Sequence, residues 1–225
     1  MSIQYSQESR IFRDFRCIPY SDYYYLIRFY EQYNTDIDHL PFDQGLIMSY
    51  YYANALFETY EYESHIKIAN YILEQSIINN IRYIDGDDVY VTTLYKKTYA
   101  HMKLGEYDVA KDLAKQLVRI TDNNIHCSNL LAQCYREVRP SWVKPVLITS
   151  ATASLFAAIS IILFSFFQEF FAPQLFHVSY ALFSLAVIGL SASIFVHYKY
   201  VVAPTRKILS QARADRKSDF SKKST

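Results

Sequence analysis

The chain has 225 residues, which allows one or two domains, and its formal net charge is +1 at pH 7. That balance hides a division, because residues 1–140 carry 14 basic and 19 acidic side chains whereas residues 199–225 carry 8 and 2. The four glycines form no phosphate-binding loop, and the three cysteines lack the CxxC spacing of a zinc site. We therefore expect no cofactor, no metal and no enzymatic activity.

Two tyrosine-rich runs come first in the chain, SDYYYLIRFYEQY at residues 21–33 and SYYYANALFETYEY at residues 49–62. Tyrosine favours strands by propensity, but neither run alternates strictly between polar and apolar residues. The spacing of Tyr52, Leu56 and Tyr60 fits one face of a helix. We predict helices here, with Ser21 as a candidate N-cap.

Residues 91–124 contain two amphipathic segments separated by Gly105, with apolar residues at intervals of three and four. This 34-residue stretch resembles a tetratricopeptide repeat (TPR), whose unit is a helix, a tight turn and an antiparallel helix. The resemblance rests on Ala100, Gly105, Tyr107 and Ala110, followed by Asp122, Asn123 and Asn124. Departures from the family's usual residues occur at Leu94, Thr98 and Asp122.

Neighbouring segments extend the resemblance to about residues 46–139. Upstream, residues 52–75 resemble a second repeat, although His65 stands where the family has a small residue. An 11-residue insertion separates the two repeats, and residues 125–138 supply only the first helix of a third. Such repeats need neighbours to bury their apolar faces, so we expect a short stack.

The resemblance implies a concave face that binds a peptide or helix of a partner protein. Tyrosine and arginine are common anchors at such interfaces. Carried over position by position, the face comprises Tyr50, Tyr51, Asn54, Phe57, Tyr95, Lys96, Tyr99, Lys103, His126, Asn129, Gln133 and Arg136. The alternative is that individual tyrosines pack between neighbouring helices.

Two other features have structural interpretations. The acidic run Asp85 to Asp88 lacks the alternating oxygen ligands and the closing glutamate of a calcium loop. Cys127 and Cys134 lie seven residues apart, on one helical face, and we expect them to be buried thiols. Neither feature predicts a metal site.

Two segments without Asp, Glu, Lys or Arg follow, at about residues 145–168 and 175–197. Each exceeds the roughly 20 apolar residues that cross a bilayer, so we predict a transmembrane hairpin within residues 145–198 that turns near Pro173. Small residues at four-residue spacing either close this hairpin within one chain or join chains into a homo-oligomer. They are Ser150, Ser154, Ala157, Gly189 and Ser193.

Basic residues flank both spans, whereas the connector between them has none. The positive-inside rule therefore places both termini, and the domain of residues 1–140, in the cytoplasm. A bacterial inner membrane is the expected host membrane. The basic tail, residues 199–225, is expected to be a flexible topology signal; the alternative is contact with anionic lipid or an acidic protein. It lacks the interleaved aromatic residues of a nucleic-acid site.

The predicted fold class is all-α, a TPR-like antiparallel helix-pair stack followed by a transmembrane helical hairpin. Two functions fit this plan. In the first, a membrane-anchored scaffold recruits a cytoplasmic partner, in an arrangement similar to the fission adaptors of the mitochondrial outer membrane. In the second, the helical domain senses a partner and the hairpins oligomerise to perturb the bilayer, as in small two-span proteins of bacterial antiviral systems. The uncharged spans favour the first.

Overall fold

A computed structural model describes residues 9–121, 124–138, 140, 142–166 and 173–223. Within these ranges the fold is helical apart from one two-stranded hairpin, so the predicted all-α class is confirmed. The chain divides into two compact units, and the boundary along the sequence falls between Cys134 and Tyr135. Residues 169–172 of the predicted connector (169–174) and the repeat-closing Asp122 and Asn123 lie outside the described residues.

Three short helices begin the first unit: α1 (Arg10–Arg16), α2 (Tyr23–Gln32) and α3 (Asn34–Ile37). The hydroxyl of Ser9 accepts a hydrogen bond from the amide of Phe12 (3.2 Å) and caps α1. The cap of α2 is Asp22, which accepts from the amide of Tyr25 (3.3 Å), so the prediction of Ser21 was wrong. A carboxylate at this position also complements the partial positive charge of the helix N-terminus.

Two pairs of longer helices follow, and then a further helix: α4 (Phe42–Glu58), α5 (Tyr62–Ile78), α6 (Val89–Lys103), α7 (Tyr107–Ile120) and α8 (Ile125–Val138). Short turns join the members of each pair, so they run antiparallel, and α5 also packs on α6. Between the pairs, β1 (Tyr83–Ile84) and β2 (Asp87–Asp88) form an antiparallel hairpin. The first unit is therefore a stack of helix pairs.

The turns that close the two pairs have the same hydrogen bonds. The amide of Glu61 donates to the carbonyl of Leu56 (2.9 Å), and the amide of Glu106 donates to the carbonyl of His101 (3.0 Å). In both turns this bond satisfies a carbonyl of the last helical turn, and the residue before the glutamate has a positive φ. The two turns are equivalent at an offset of 45 residues, from Glu61 to Glu106.

Buried positions repeat at the same offset. Three equivalent pairs have no exposed surface: Ala55 and Ala100, Ala69 and Ala114, and Ile72 and Leu117. The alanines permit close approach of neighbouring helices because their side chains are a single methyl group. The first unit thus contains two copies of one helix-turn-helix unit, separated by the β1–β2 hairpin.

Large apolar side chains from α1 and α4 fill much of the core of the first unit. Phe12, Phe15, Leu46, Met48 and Leu56 are all fully buried. Burial of a side chain of this size contributes roughly 1.5–3 kcal/mol to folding. These contacts fix α4, which supplies part of the surface described below.

The second unit contains two long apolar helices, α9 (Val143–Phe166) and α10 (Pro173–His197). Among the described residues, two helical stretches are long and apolar enough to cross a membrane: Pro145–Leu163, with a mean hydropathy of 2.2, and Phe183–Asp215, with 1.6. Large apolar side chains such as Phe156 and Phe195 are 70% and 66% exposed in the isolated chain. Apolar surface of this extent matches the lipid-facing side of a membrane helix.

Small residues lie where α9 and α10 pack against each other. A Cβ atom placed on Gly189 would lie 2.9 Å from the Cβ of Ser150, so the helices are in close contact at this point. Ser150, Ala157 and Ser193 are buried, and Ser154 is half-buried. These small residues therefore serve packing within one chain.

The basic tail continues α10 without a break. A π-helical turn, Tyr198–Val202, leads into α11 (Ala203–Lys223). Pro204 explains the turn, because proline lacks an N–H and its ring displaces the carbonyl one turn earlier. A helix over this part of the tail was not predicted, and the expectation that the tail is flexible stays a prediction. A preceding helix supplies the nucleus that an isolated charged segment lacks.

Candidate interaction surface

Aromatic rings from both helix pairs meet on one surface of the first unit. The ring of Phe57 makes edge contacts with Tyr62 (centroids 5.9 Å apart) and Tyr99 (5.6 Å), and Tyr62 makes another with Tyr60 (6.1 Å). Edge-to-face pairs at these distances are mutually attractive. Two lysines lie over these rings. We name the set the aromatic-lysine cluster: Phe57, Tyr60, Tyr62, Lys96, Tyr99 and Lys103.

Both lysines are held by their neighbours. The ammonium of Lys96 lies 4.9 Å from the centroid of Phe57 and 3.1 Å from a carboxylate oxygen of Glu58. The ammonium of Lys103 lies 5.1 Å from the centroid of Tyr99, and a hydrogen bond with Tyr99 raises the pKa of this exposed lysine. The surface therefore presents aromatic faces next to two positioned cations.

Tyr60 has an unusual backbone. Its φ is +67°, a region that favours glycine, and its counterpart in the second helix pair is Gly105, with φ +81°. A side chain in this region costs about 1 kcal/mol. The ring of Tyr60 is 76% exposed, so burial offsets little of that cost. Strain at an exposed aromatic residue favours a role in recognition.

A buried histidine, His65, packs against the cluster through the ring of Phe57. The ring of His65 lies 5.3 Å from that of Phe57 and is 1% exposed. Its Nδ1–H donates to the carbonyl of Ala53 (2.8 Å), while Nε2 has no partner among the described residues. Burial lowers the pKa of His65 to about 4, so the ring is neutral at pH 7.

A second histidine, His101, forms a hydrogen bond across the turn that follows Lys103. Nδ1 of His101, near the end of α6, forms a short hydrogen bond with the carboxylate of Glu106, which precedes α7. The side chain of His101 is 11% exposed and that of Glu106 is 52% exposed. This contact holds the last turn of α6 against the start of α7 and so positions Lys103.

The structure brings together four of the twelve residues predicted for the concave face, namely Phe57, Lys96, Tyr99 and Lys103. Sequence reasoning did not select Tyr60 or Tyr62 for this face. A signal was present, because a tyrosine stands at the position that Gly105 has in the second repeat.

Tyr50 and Tyr51 have structural roles instead. Tyr50 is 2% exposed, its hydroxyl donates to Asp87 (3.3 Å), and burial raises its pKa to about 12. It lies in the core, so its predicted partner contact is wrong. The ring of Tyr51 stacks on Tyr20 (4.2 Å), and its hydroxyl donates to Asp85 (2.6 Å). The two tyrosines thus bind the acidic loop, whose carboxylates are occupied by internal hydrogen bonds.

The other predicted residues are accessible to different degrees. Asn54 and Tyr95 are half-buried. The remaining four form an exposed stripe on α8: His126, Asn129, Gln133 and Arg136. The opposite face of α8 is buried through residues that include Cys127 and Leu130. Asn54, Tyr95 and the four residues on α8 stay predicted members of the concave face.

The three cysteines differ in exposure. Cys127 and Cys134 are buried, and burial raises the pKa of Cys134 to about 11, which disfavours the reactive thiolate. Cys17 is exposed. No group of three or more His, Cys, Asp or Glu side chains in the described part of the chain is arranged to hold a metal ion.

Comparisons with protein-family models, with curated proteins and with solved structures find no match to this chain. Within the chain itself, the second helix pair repeats the first at the turns before α5 and α7 and at the buried alanines. That internal repetition agrees with a helix-turn-helix unit without identifying a family.

Proposed function

We propose that the chain is a membrane-anchored, non-catalytic scaffold that holds a cytoplasmic partner protein at the aromatic-lysine cluster. The observation that carries this proposal is the exposed ring of Tyr60 on a strained backbone, in contact with Tyr62. The ring contributes little buried area to the fold, and glycine would relieve its strain. A contact with another molecule would explain why a tyrosine, and not a glycine, stands at position 60.

The chemistry of the cluster indicates the kind of partner. Phe57, Tyr62 and Tyr99 offer ring edges and faces suited to an apolar or aromatic side chain. Lys103 is exposed and offers a cation to a carboxylate. The partner segment is therefore a peptide or helix that carries an apolar anchor beside an acidic residue. The repeated helix pairs support a TPR-like assignment for the domain that binds it.

The proposed topology places both termini on the cytoplasmic side of a bacterial inner membrane. Support comes from the basic residues of α11, which include Arg206, Lys207 and Arg213. Trp142 is 52% exposed just before α9, and Tyr198 is 50% exposed just after α10. Exposed aromatic residues next to apolar spans are typical of the membrane interface.

Packing within the hairpin supports a tether over a membrane-perturbing effector. An effector needs contacts between hairpins of different chains, and small residues are the usual means. Here Gly189 packs on Ser150 of the same chain, and Ala157 is 1% exposed. Membrane potential on expression separates the two functions: the tether predicts an unchanged potential, and depolarisation by the full chain would support the effector.

Affinity capture with the full chain in lipid nanodiscs tests the scaffold. Tyr99→Ala and Lys103→Ala should each reduce recovery of the partner several-fold, because they remove one ring and one cation of the cluster. Tyr24→Ala is the matched control, since Tyr24 is a 77% exposed tyrosine on α2 outside the cluster. Equal recovery with all three variants, with circular dichroism unchanged, would refute the assignment.

A further inference from the structure

A cavity of about 590 Å³ lies among the first helices, apart from the aromatic-lysine cluster. Ligand sites in proteins typically have volumes of roughly 300–1,000 Å³. Ten residues from the α2–α5 region line the cavity, and no member of the cluster is among them. The residues that the argument uses are Tyr30, Asn34, Asp38, Phe42, Ser49 and Tyr71.

The lining combines aromatic rings with acidic and neutral polar groups. Tyr30, Phe42 and Tyr71 contribute rings, and Asp38 contributes a carboxylate. Among the described residues that line the cavity, none is Lys, Arg or His. Aromatic faces attract cations through the ring quadrupole, and a carboxylate accepts hydrogen bonds from them. The lining therefore matches a cationic ligand.

The hydroxyl groups in the cavity are oriented by a short hydrogen-bond chain. The hydroxyl of Ser49 donates to the carbonyl of Gly45, four residues earlier (2.8 Å). The hydroxyl of Tyr30 lies 2.9 Å from Ser49 Oγ, and either oxygen can donate in this contact. With either direction, a lone pair of the Tyr30 oxygen remains available to a ligand. Its ring is fixed by stacking on Tyr52 (4.1 Å).

Asp38 supplies the negative charge of the lining, because tyrosine hydroxyls are neutral at pH 7. Burial raises the pKa of Tyr30, and the negative charge of Asp38 adds to the increase. A bound cation would be attracted by the Asp38 carboxylate. Apolar side chains of Ile37, Leu40 and Ile68 complete the lining and suit an alkyl chain.

We propose that this cavity binds a primary alkylammonium group, carried either by a lysine side chain or by a free diamine. The three N–H donors of the ammonium match the carboxylate of Asp38, the hydroxyl oxygen of Tyr30 and the amide oxygen of Asn34. The aromatic rings stabilise the charge, and the aliphatic lining contacts the alkyl chain. This site is independent of the proposed membrane tethering.

Calorimetric titration of the full chain in nanodiscs tests the ligand class. The probes are Nα-acetyl-lysine amide, cadaverine and Nα-acetyl-norleucine amide. The norleucine probe keeps the alkyl chain but lacks the side-chain ammonium. Both ammonium probes should bind at least tenfold more tightly than the neutral one. Tighter binding of the lysine probe supports a peptide side chain, and tighter binding of cadaverine supports a free diamine. Equal binding of the norleucine probe, or no heat from either ammonium probe, overturns the proposal.

A pair of variants tests the residue assignment. Asp38→Asn should weaken binding of the ammonium probes about tenfold, because the charged acceptor is lost. Asp36→Asn removes the same charge two residues away at a side chain that does not line the cavity, and it should bind like the unmodified chain. Both side chains are exposed, so folding should persist, and circular dichroism checks this. Equal effects of the two substitutions overturn the assignment.

Discussion

Replacing His65 with asparagine should remove much of the acid sensitivity of the helical domain. The imidazole is 1% exposed, its Nδ1–H donates to the carbonyl of Ala53, and Nε2 has no described partner. A second proton on this ring would put an uncompensated charge inside the first unit. Asparagine can keep the bond to Ala53 through its amide N–H but takes up no proton.

The size of the effect follows from the shift in pKa. Folding lowers the pKa of His65 from 6.5 to about 4, so the folded chain binds fewer protons between these pH values. The stability that depends on the neutral ring of His65 is fully present above pH 6.5 and is lost as the pH falls toward 4. The slope in this window is about 1.4 kcal/mol per pH unit. Between pH 8 and pH 5 the loss is therefore about 2 kcal/mol.

Urea unfolding of the full chain in nanodiscs measures this loss, with near-UV circular dichroism of the tyrosines as the signal. The quantity compared is the change in unfolding free energy between pH 8 and pH 5. His39→Asn is the control, because His39 is exposed and its ring bonds to the carbonyl of Thr35. Carboxylates titrate alike in every variant and cancel in the comparison.

His65→Asn should lose about 2 kcal/mol less than the unmodified chain over this pH range, whereas His39→Asn should lose the same amount as the unmodified chain. Equal losses in His65→Asn and the unmodified chain would refute the reasoning. In that case water reaches Nε2, or the ring turns to a new partner on protonation.

Further predictions concern the turns, the hairpin and one helix cap. Gly105→Ala should lower the unfolding free energy by about 1 kcal/mol and Tyr60→Gly should raise it similarly, since φ is positive at both positions; urea titrations with shifts of the same sign would contradict this. Gly189→Ala should lower the melting temperature through contact with Ser150, and adding Ser150→Gly should restore it; no rescue would contradict the packing. Asp88→Ala should cost about 1 kcal/mol by uncapping α6, whereas Asp88→Asn should cost less; hydrogen exchange at the start of α6 distinguishes them, and equal protection would argue against the cap.

The helix pairs could be predicted because local rules decide them. Gly105 marks a positive φ, and apolar spacing on both sides of it describes the faces of α6 and α7. The turn before α5 also has a positive φ, at Tyr60. A search for glycine does not find this turn, because the residue there is tyrosine. Comparison of the two repeats at the 45-residue offset is what exposes the substitution.

The roles of individual residues on α4 could not be predicted. Helical spacing places Tyr50 and Phe57 two turns apart on one face, yet Tyr50 is buried and Phe57 belongs to the surface cluster. The reason is that α2, α5 and α6 all pack on α4, and the β1–β2 hairpin brings Asp87 to Tyr50. A periodic pattern identifies a face but does not show which neighbour covers it.

The apolar spans could be predicted from length and composition, but the helix after them could not. α11 is rich in charged residues and has little apolar periodicity, so its sequence predicts a flexible segment and not a helix. Its helical form depends on the continuation of α10 through Pro204. The cavity at Tyr30 could not be predicted either, because its lining combines residues 30–49 with Ile68 and Tyr71 of α5.

Site-specific photocrosslinking at Tyr60 tests the central claim most directly. A photoreactive phenylalanine analogue replaces Tyr60 in one variant and Tyr24 in the other, two tyrosines with 76% and 77% exposure. After irradiation of cells that express the full chain, mass spectrometry identifies the adducts. The scaffold predicts one abundant protein adduct at position 60 that Tyr99→Ala reduces and that is missing at position 24. The same adducts at both positions, or none at position 60, would contradict it.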